Sequence, residues 1–130
     1  DAAMRLEAVA DTETDEHYSF DHTSEGIRFA GAFREMVDDL HAGVSRSLIA
    51  GRFHNTLARV AVSVSQAIRQ DTGLNKVVLS GGSFQNKLLS ERTATWLRED
   101  GFEVFQHCQV PANDGGISLG QLAIASKQIH

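Results

Sequence analysis

Residues 77–86 read VVLSGGSFQN and hold the first group of residues able to do chemistry. A β-favouring run stops at Gly81 and Gly82, and Asn86 follows four residues after the second glycine. Glycine lets a phosphate come close to the backbone, and the unpaired N–H groups of a following helix favour an anion there. Asn86, on the first turn of that helix, can reach back with its amide to the same ligand. A plain strand-to-helix turn with Ser83 as N-cap explains the same residues without a ligand. Both readings stand at this level.

A second group lies in PANDGGISLGQ, residues 111–121. It too follows a strand-like segment and opens what reads as a helix, with Asp114 directly before Gly115 and Gly116. Ligands of α/β layers collect at the carboxyl ends of strands, so two such turns in neighbouring units would face one sheet edge. Asp114 can then hold a divalent cation, since hard cations take carboxylate oxygens. Asn113 and Asp114 can equally be helix caps. Glu7, in MRLEAVA, is a carboxylate on a short amphipathic helix, for which simple exposure is the alternative.

The six histidines make no metal motif. His17 and His22 sit in polar surroundings, and His41 lies in the last turn of a helix, where it suits the dipole. His107 and Cys108 are neighbours that point to opposite sides of a strand. His54 lies on a long helix without a ligand-type residue one turn on.

The elements that must hold these groups follow from periodicity. A short helix spans 2–10, DTETDEH (11–17) is an acidic linker, and short strands fall at 18–20 and 27–30. A helix over 31–43 ends at Gly43, with Phe33, Val37 and Leu40 in the spacing of a buried face. The longest helix runs from Ser45 to about Thr72 and stops at Gly73. Phe53, Leu57, Val60, Val64 and Ala67 mark one of its faces, and Ala58, Ala61 and Ser65 form a small-residue face beside them. A strand at 77–80, a helix at 84–99, a strand at 102–106 and a helix from about Gly116 to Lys127 complete the chain. This alternation is the pattern of an α/β layer with parallel strands.

Composition narrows the function. The 130 residues are 42% hydrophobic and 22% charged, as in one globular domain. Twelve basic against seventeen acidic residues, net charge −5, argue against a nucleic-acid surface. Cys108 is the single cysteine, which excludes an intrachain disulfide and a cysteine-built zinc site, and fits a reducing, cytoplasmic setting. Apolar runs fall far short of the roughly 18 residues of a membrane span, and no signal peptide is evident. The chain opens inside a helical pattern, so the expectation is a piece of a longer protein.

Together, DAAMRLEAVA, FHNTLARV, VVLSGGSFQNKLL and VPANDGGISLGQLAIA resemble the C-terminal part of the hydrogenase-maturation carbamoyltransferase HypF, in order and spacing through nearly the whole chain. Antibiotic O-carbamoyltransferases and threonylcarbamoyl-adenosine tRNA-modification proteins share this domain type. The resemblance implies the second lobe of an actin–hexokinase–Hsp70-like (ribonuclease H-like) α/β fold, a mixed sheet flanked by helices. It spans residues 1–130, the other lobe lying elsewhere in the parent protein.

It also implies that carbamoyl phosphate and ATP form carbamoyl-adenylate in another domain. This domain then passes the carbamoyl group to the C-terminal cysteine of a HypE-like acceptor, toward the cyanide ligands of nickel–iron hydrogenase. Carried over by residue, Gly81 and Gly82 contact the adenylate's phosphate, Asn86 the nucleoside and Glu7 the ribose hydroxyls. Asp114 becomes a ligand to a divalent metal (zinc, iron or magnesium) whose histidine ligands belong to the preceding lobe. The fragment alone is expected to be inactive.

Three rivals remain. FQN after the glycines, NDGGI in place of an NGA-type turn, and acidic charge separate the chain from the tRNA-modifying branch. A sugar-kinase-like phosphotransferase needs a catalytic aspartate from the other lobe. In a non-enzymatic interaction module, the glycine turns are structural and the small-residue face of helix 45–72 packs against a partner.

Overall fold

The computed structural model describes residues 9–80 and 86–106, together with the backbone of residues 117–118. Its elements are β1 (Asp21–Thr23), β2 (Gly26–Arg28), α1 (Ala30–His41), α2 (Arg46–Thr72), β3 (Lys76–Leu79), α3 (Lys87–Glu99), β4 (Glu103–Gln106) and β5 (Ile117–Ser118). Among the described residues the strands form two separate sheets, an antiparallel β1–β2 hairpin and a parallel sheet ordered β4-β3-β5. The α/β expectation holds, and so does the parallel pairing of β3 with β4, with Val77 opposite Val104.

β3 sits in the middle of its sheet, and Val77, Val78 and Leu79 are all buried. Consecutive apolar residues on a central parallel strand mark a sheet covered on both faces. Helix α2 is 27 residues long, about 40 Å at the usual rise. Its ends are where local chemistry puts them. Ser45 Oγ accepts the Leu48 N–H at 3.2 Å, and Gly73 closes the helix in the left-handed region at φ 78°.

The main core joins Ala58, Ala61 and Val62 of α2 to Val77 and Leu79, to Leu89, Ala94 and Leu97 of α3, and to Phe102 and Val104. The small-residue face of α2 is therefore consumed inside this chain: Ala58 and Ser65 are fully buried. Small side chains let α3 approach closely, while Leu57 and Val64 are half-buried and Ala67 is exposed. That face is not available to a partner, which removes this part of the interaction-module reading.

Several expectations are corrected. Phe33, Val37 and Leu40 are 60%, 48% and 59% exposed. The inward side of α1 instead carries buried Ala32 and half-buried Met36, which join Tyr18, Ile49, Phe29, Val44 and Phe53 in a second cluster. Residues 18–20 are not a strand, because side chains of the helices hold them. The Tyr18 N–H donates to Thr56 Oγ1 at 2.8 Å, and the Ser19 N–H donates to Glu35 Oε1 at 2.8 Å. The first strand of the hairpin begins at Asp21.

Helix α3 starts at Lys87 rather than 84, since Asn86 takes the N-cap expected of Ser83. Ile117 and Ser118 are not helical; they pair with Val77 and Val78 on the second edge of β3. The remainder of the helix placed at 116–127, and residues 2–8 of the first helix, lie outside the described residues.

Candidate functional site

Parallel pairing sets where β3 and β4 end. Leu79 is in register with Gln106, so β3 and β4 end at the same edge. Residues 80–86 follow the first strand and residues 107–116 the second. Ser90, on the first turn of α3, donates its hydroxyl to Gln106 Oε1 at 3.1 Å and ties the start of that helix to the end of β4. One edge thus gathers two strand ends and a helix N-terminus, an arrangement suited to an anionic ligand.

Of the five site residues expected from sequence, Asn86 is the one the structure describes. Glu7, Gly81, Gly82 and Asp114 lie outside the described residues. Asn86 is buried at the sheet edge and caps α3: its Oδ1 accepts the Leu89 N–H at 3.1 Å. Its Nδ2 lies 2.8 Å from Nε2 of His54, which is itself only 2% exposed. The other ring nitrogen of His54, Nδ1, lies 2.8 Å from the Ala50 carbonyl oxygen. Sequence reasoning set His54 aside because it sought a metal partner on the same helix. Its partner is an amide 32 positions away. The usable signal was a polar residue one helical turn before Ala58, on the buried small-residue face.

The next residue of α2, Asn55, holds a different segment. Its Nδ2 donates to the Thr14 and Glu16 carbonyls at 2.8 and 2.7 Å. Arg92 of α3 donates to the Thr12 and Thr14 carbonyls at 2.7 and 2.8 Å, and also to Asn55 Oδ1. The Asp11 N–H donates to the Ser47 carbonyl at 2.9 Å. The acidic linker is therefore a strap laid across α2, and Gly51 makes room for it. A Cβ built at Gly51 would lie 2.6 Å from the Asp11 oxygen and 2.9 Å from Thr14 Cγ2. The strap follows Glu7 in sequence.

Electrostatics brace the far end of the strap. Asp39 accepts the Tyr18 hydroxyl and an Arg52 N–H, both at 2.7 Å, and Arg52 also reaches Glu16 at 3.1 Å. The Tyr18 hydroxyl bond, followed by the Arg52 guanidinium, holds the Asp39 carboxyl below the ordinary range. Burial, reinforced by Asp39, pushes the Tyr18 phenol up. Hydrogen bonds from the Ser19 N–H and hydroxyl hold Glu35 down. These groups fix a loop and set no proton in motion.

No group of three or more His, Cys, Asp or Glu side chains among the described residues is placed to hold a metal ion. A shallow cavity of about 290 Å³ lined by Thr12, Leu88, Glu91, Arg92, Thr95 and Trp96 contains none of the expected site residues. The described residues of the sheet edge can bind and orient a ligand; the hydroxyl–imidazole pair of Ser63 and His22, 2.6 Å apart, is exposed and involves the β1 strand instead.

Comparison with known proteins identifies the context. Residues 1–121 match the family model described as "Carbamoyltransferase, Kae1-like Domain, second subdomain". The chain is 33% identical over 124 residues to the carbamoyltransferase HypF of Synechocystis sp., covering 93% of this chain and 16% of that protein. It is 30% identical over its full 130 residues to the HypF of Rhodobacter capsulatus, 17% of that protein. The crystal structure of a full-length HypF in its phosphate- and nucleotide-bound form superposes with a TM-score of 0.78 at 42% identity, over 99% of this chain and 21% of that one. The chain spans about a sixth of the length of the curated relatives it matches.

Proposed function

The chain belongs to the HypF carbamoyltransferase family, and on that premise we propose that it is the second lobe of a carbamoyl-transfer domain. The lobe, of the actin–hexokinase–Hsp70 type, supplies one wall of a carbamoyl-adenylate site. The observation that carries this reading is the likeness of the whole chain to a HypF structure that itself holds phosphate and nucleotide. The common edge at which β3 and β4 end supports it.

Carbamoyl phosphate and ATP are the small-molecule substrates, and another domain of the parent protein makes the carbamoyl-adenylate. The C-terminal cysteine thiolate of a HypE-like acceptor then attacks the carbamoyl carbon. A C–S bond forms, the bond from that carbon to the phosphate oxygen breaks, and AMP leaves with the electron pair. Backbone N–H groups at Gly81 and Gly82 stabilise the charge appearing on that phosphate, as fixed donors do without reorganising. Asn86 orients the nucleoside and Glu7 accepts from its ribose hydroxyls. Asp114 is this chain's ligand to a divalent metal completed by the preceding lobe, which when bound supplies electrostatic stabilisation of the phosphate. A cytoplasmic setting fits this chemistry. No described helix is long and apolar enough to cross a membrane.

The test uses the full-length protein and an acceptor ending in cysteine. Carbamoylation of that cysteine, read by intact-protein mass spectrometry, is expected with carbamoyl phosphate and ATP together and with neither alone. Asp114→Ala is expected to abolish transfer while leaving the circular dichroism spectrum unchanged. Transfer by that variant at the unaltered rate would remove Asp114 from the site.

A further inference from the structure

We propose that His54 is a positioning residue for the nucleotide, acting through Asn86; this rests on the reading above that Asn86 faces the nucleoside. Three one-way hydrogen bonds carry the argument. The Ala50 carbonyl can only accept, so the nitrogen facing it at 2.8 Å, Nδ1, bears the ring's proton. A neutral imidazole has one donor and one acceptor, so Nε2 is left as the acceptor. The Asn86 group 2.8 Å from Nε2 must then be the amide NH2. That turns Oδ1 toward the Leu89 N–H, which needs an acceptor and finds it at 3.1 Å.

An asparagine amide can otherwise rotate by half a turn at little cost in shape, exchanging donor and acceptor. The Leu89 N–H and His54 together remove that freedom, one at each end of the amide. A flipped Asn86 would set its carbonyl oxygen against the Nε2 lone pair and its NH2 against the Leu89 N–H, two repulsive contacts where there are now two bonds. Both residues are buried, which makes an unmatched polar contact costly.

The same stretch of α2 also holds the strap. Asn55 and Gly51 seat the strap that follows the Glu7 segment, within one turn of the residue that sets Asn86. Residues 51–55 thus connect the strap to Asn86.

The test is single-turnover transfer in the full-length protein, with pyrophosphate release measured alongside to follow adenylate formation. His54→Ala is expected to leave pyrophosphate release unchanged and to slow transfer roughly ten-fold, the effect of one misplaced hydrogen bond. A positioning loss lowers the rate constant at full amplitude, whereas a merely structural loss lowers the amplitude and leaves the rate constant alone.

Asn86→Ala is run beside it. If Asn86→Ala slows transfer and His54→Ala does not, the nucleotide site stands and the role of His54 is wrong. If Asn86→Ala transfers normally, the assignment of Asn86 fails and takes this inference with it. Should His54→Ala fail to fold, the ring tautomer decides on the unaltered protein. Long-range nitrogen–proton NMR showing hydrogen on Nδ1 and a bare Nε2 supports the proposal, and hydrogen on Nε2 overturns it.

Discussion

Replacing Gly51 by alanine gives two opposite answers depending on whether the strap lies where it is seen. Glycine inside a helix is about 1 kcal/mol less favourable than alanine, so on a bare helix Gly51→Ala stabilises by about that amount. Here the new methyl would meet the Asp11 backbone oxygen at 2.6 Å and Thr14 Cγ2 at 2.9 Å. The first of these cannot be relieved by turning a side chain. The strap backbone must move, yet it is fixed by the bond to Ser47, two from Asn55 and two from Arg92. Overpacking of this kind costs roughly 1–3 kcal/mol, and each hydrogen bond given up adds about 1 kcal/mol, more for those from Arg92. Losing two bonds brings the penalty to roughly 3–5 kcal/mol, and the helix gain reduces it to roughly 2–4 kcal/mol.

Hydrogen exchange with mass spectrometry reads this locally, even in a long protein whose unfolding is not two-state. A loss of about 2 kcal/mol accelerates exchange in residues 11–17 by roughly 30-fold. The same variant is expected to transfer the carbamoyl group more slowly, since the strap follows the Glu7 segment. Unchanged or slower exchange in the strap would falsify the packing argument, because it would mean that nothing sits against Gly51.

Two further outcomes test the division between core and surface and the acid–base behaviour of the loop. Leu97→Ala, at a position with no exposure between α3 and the sheet, is expected to cost roughly 2–5 kcal/mol, while Phe33→Ser, at 60% exposure, stays within about 0.5 kcal/mol; chemical denaturation of the chain measures both. The folded carboxyls of Asp39 and Glu35 are held low, so the unfolded chain binds more protons in acid. Their stabilisation is present above the ordinary carboxylate pKa of about 4 and is lost as pH falls through the folded values. The Tyr18 phenol is held high, so its contribution is present below about pH 10 and is lost as pH rises beyond that. Asp39→Asn should flatten the acid side of the stability–pH curve and Tyr18→Phe the alkaline side; an unaltered profile in either variant would contradict the bonds seen at Tyr18.

What the sequence made legible, and what it hid, both trace to α2. Its ends could be read because Ser45 and Gly73 act locally, through one capping bond and one left-handed turn. The parallel β3–α3–β4 unit was legible for a similar reason, since apolar runs and turn residues alternate along the chain. Which face of a helix goes inward is decided elsewhere. Periodicity favours the bulky residues, yet on α2 Gly51, His54, Ala58, Ala61 and Ser65 are all buried, and at Gly51 the strap leaves no room for a Cβ. On α1 the bulky stripe faces outward, since the inward contact is with Ile49 and Tyr18 and uses Ala32. The contacts of Asn86 were half legible in the same way. Asn86 could be singled out by its place after two glycines, whereas its partner His54 is 32 residues away and declares itself only when α2 and α3 are side by side. Polar residues on a small-residue face therefore repay scrutiny: the buried Ser65 hydroxyl has no hydrogen-bond partner among the described residues, whereas His54 meets Asn86 and Asn55 meets the strap and Arg92.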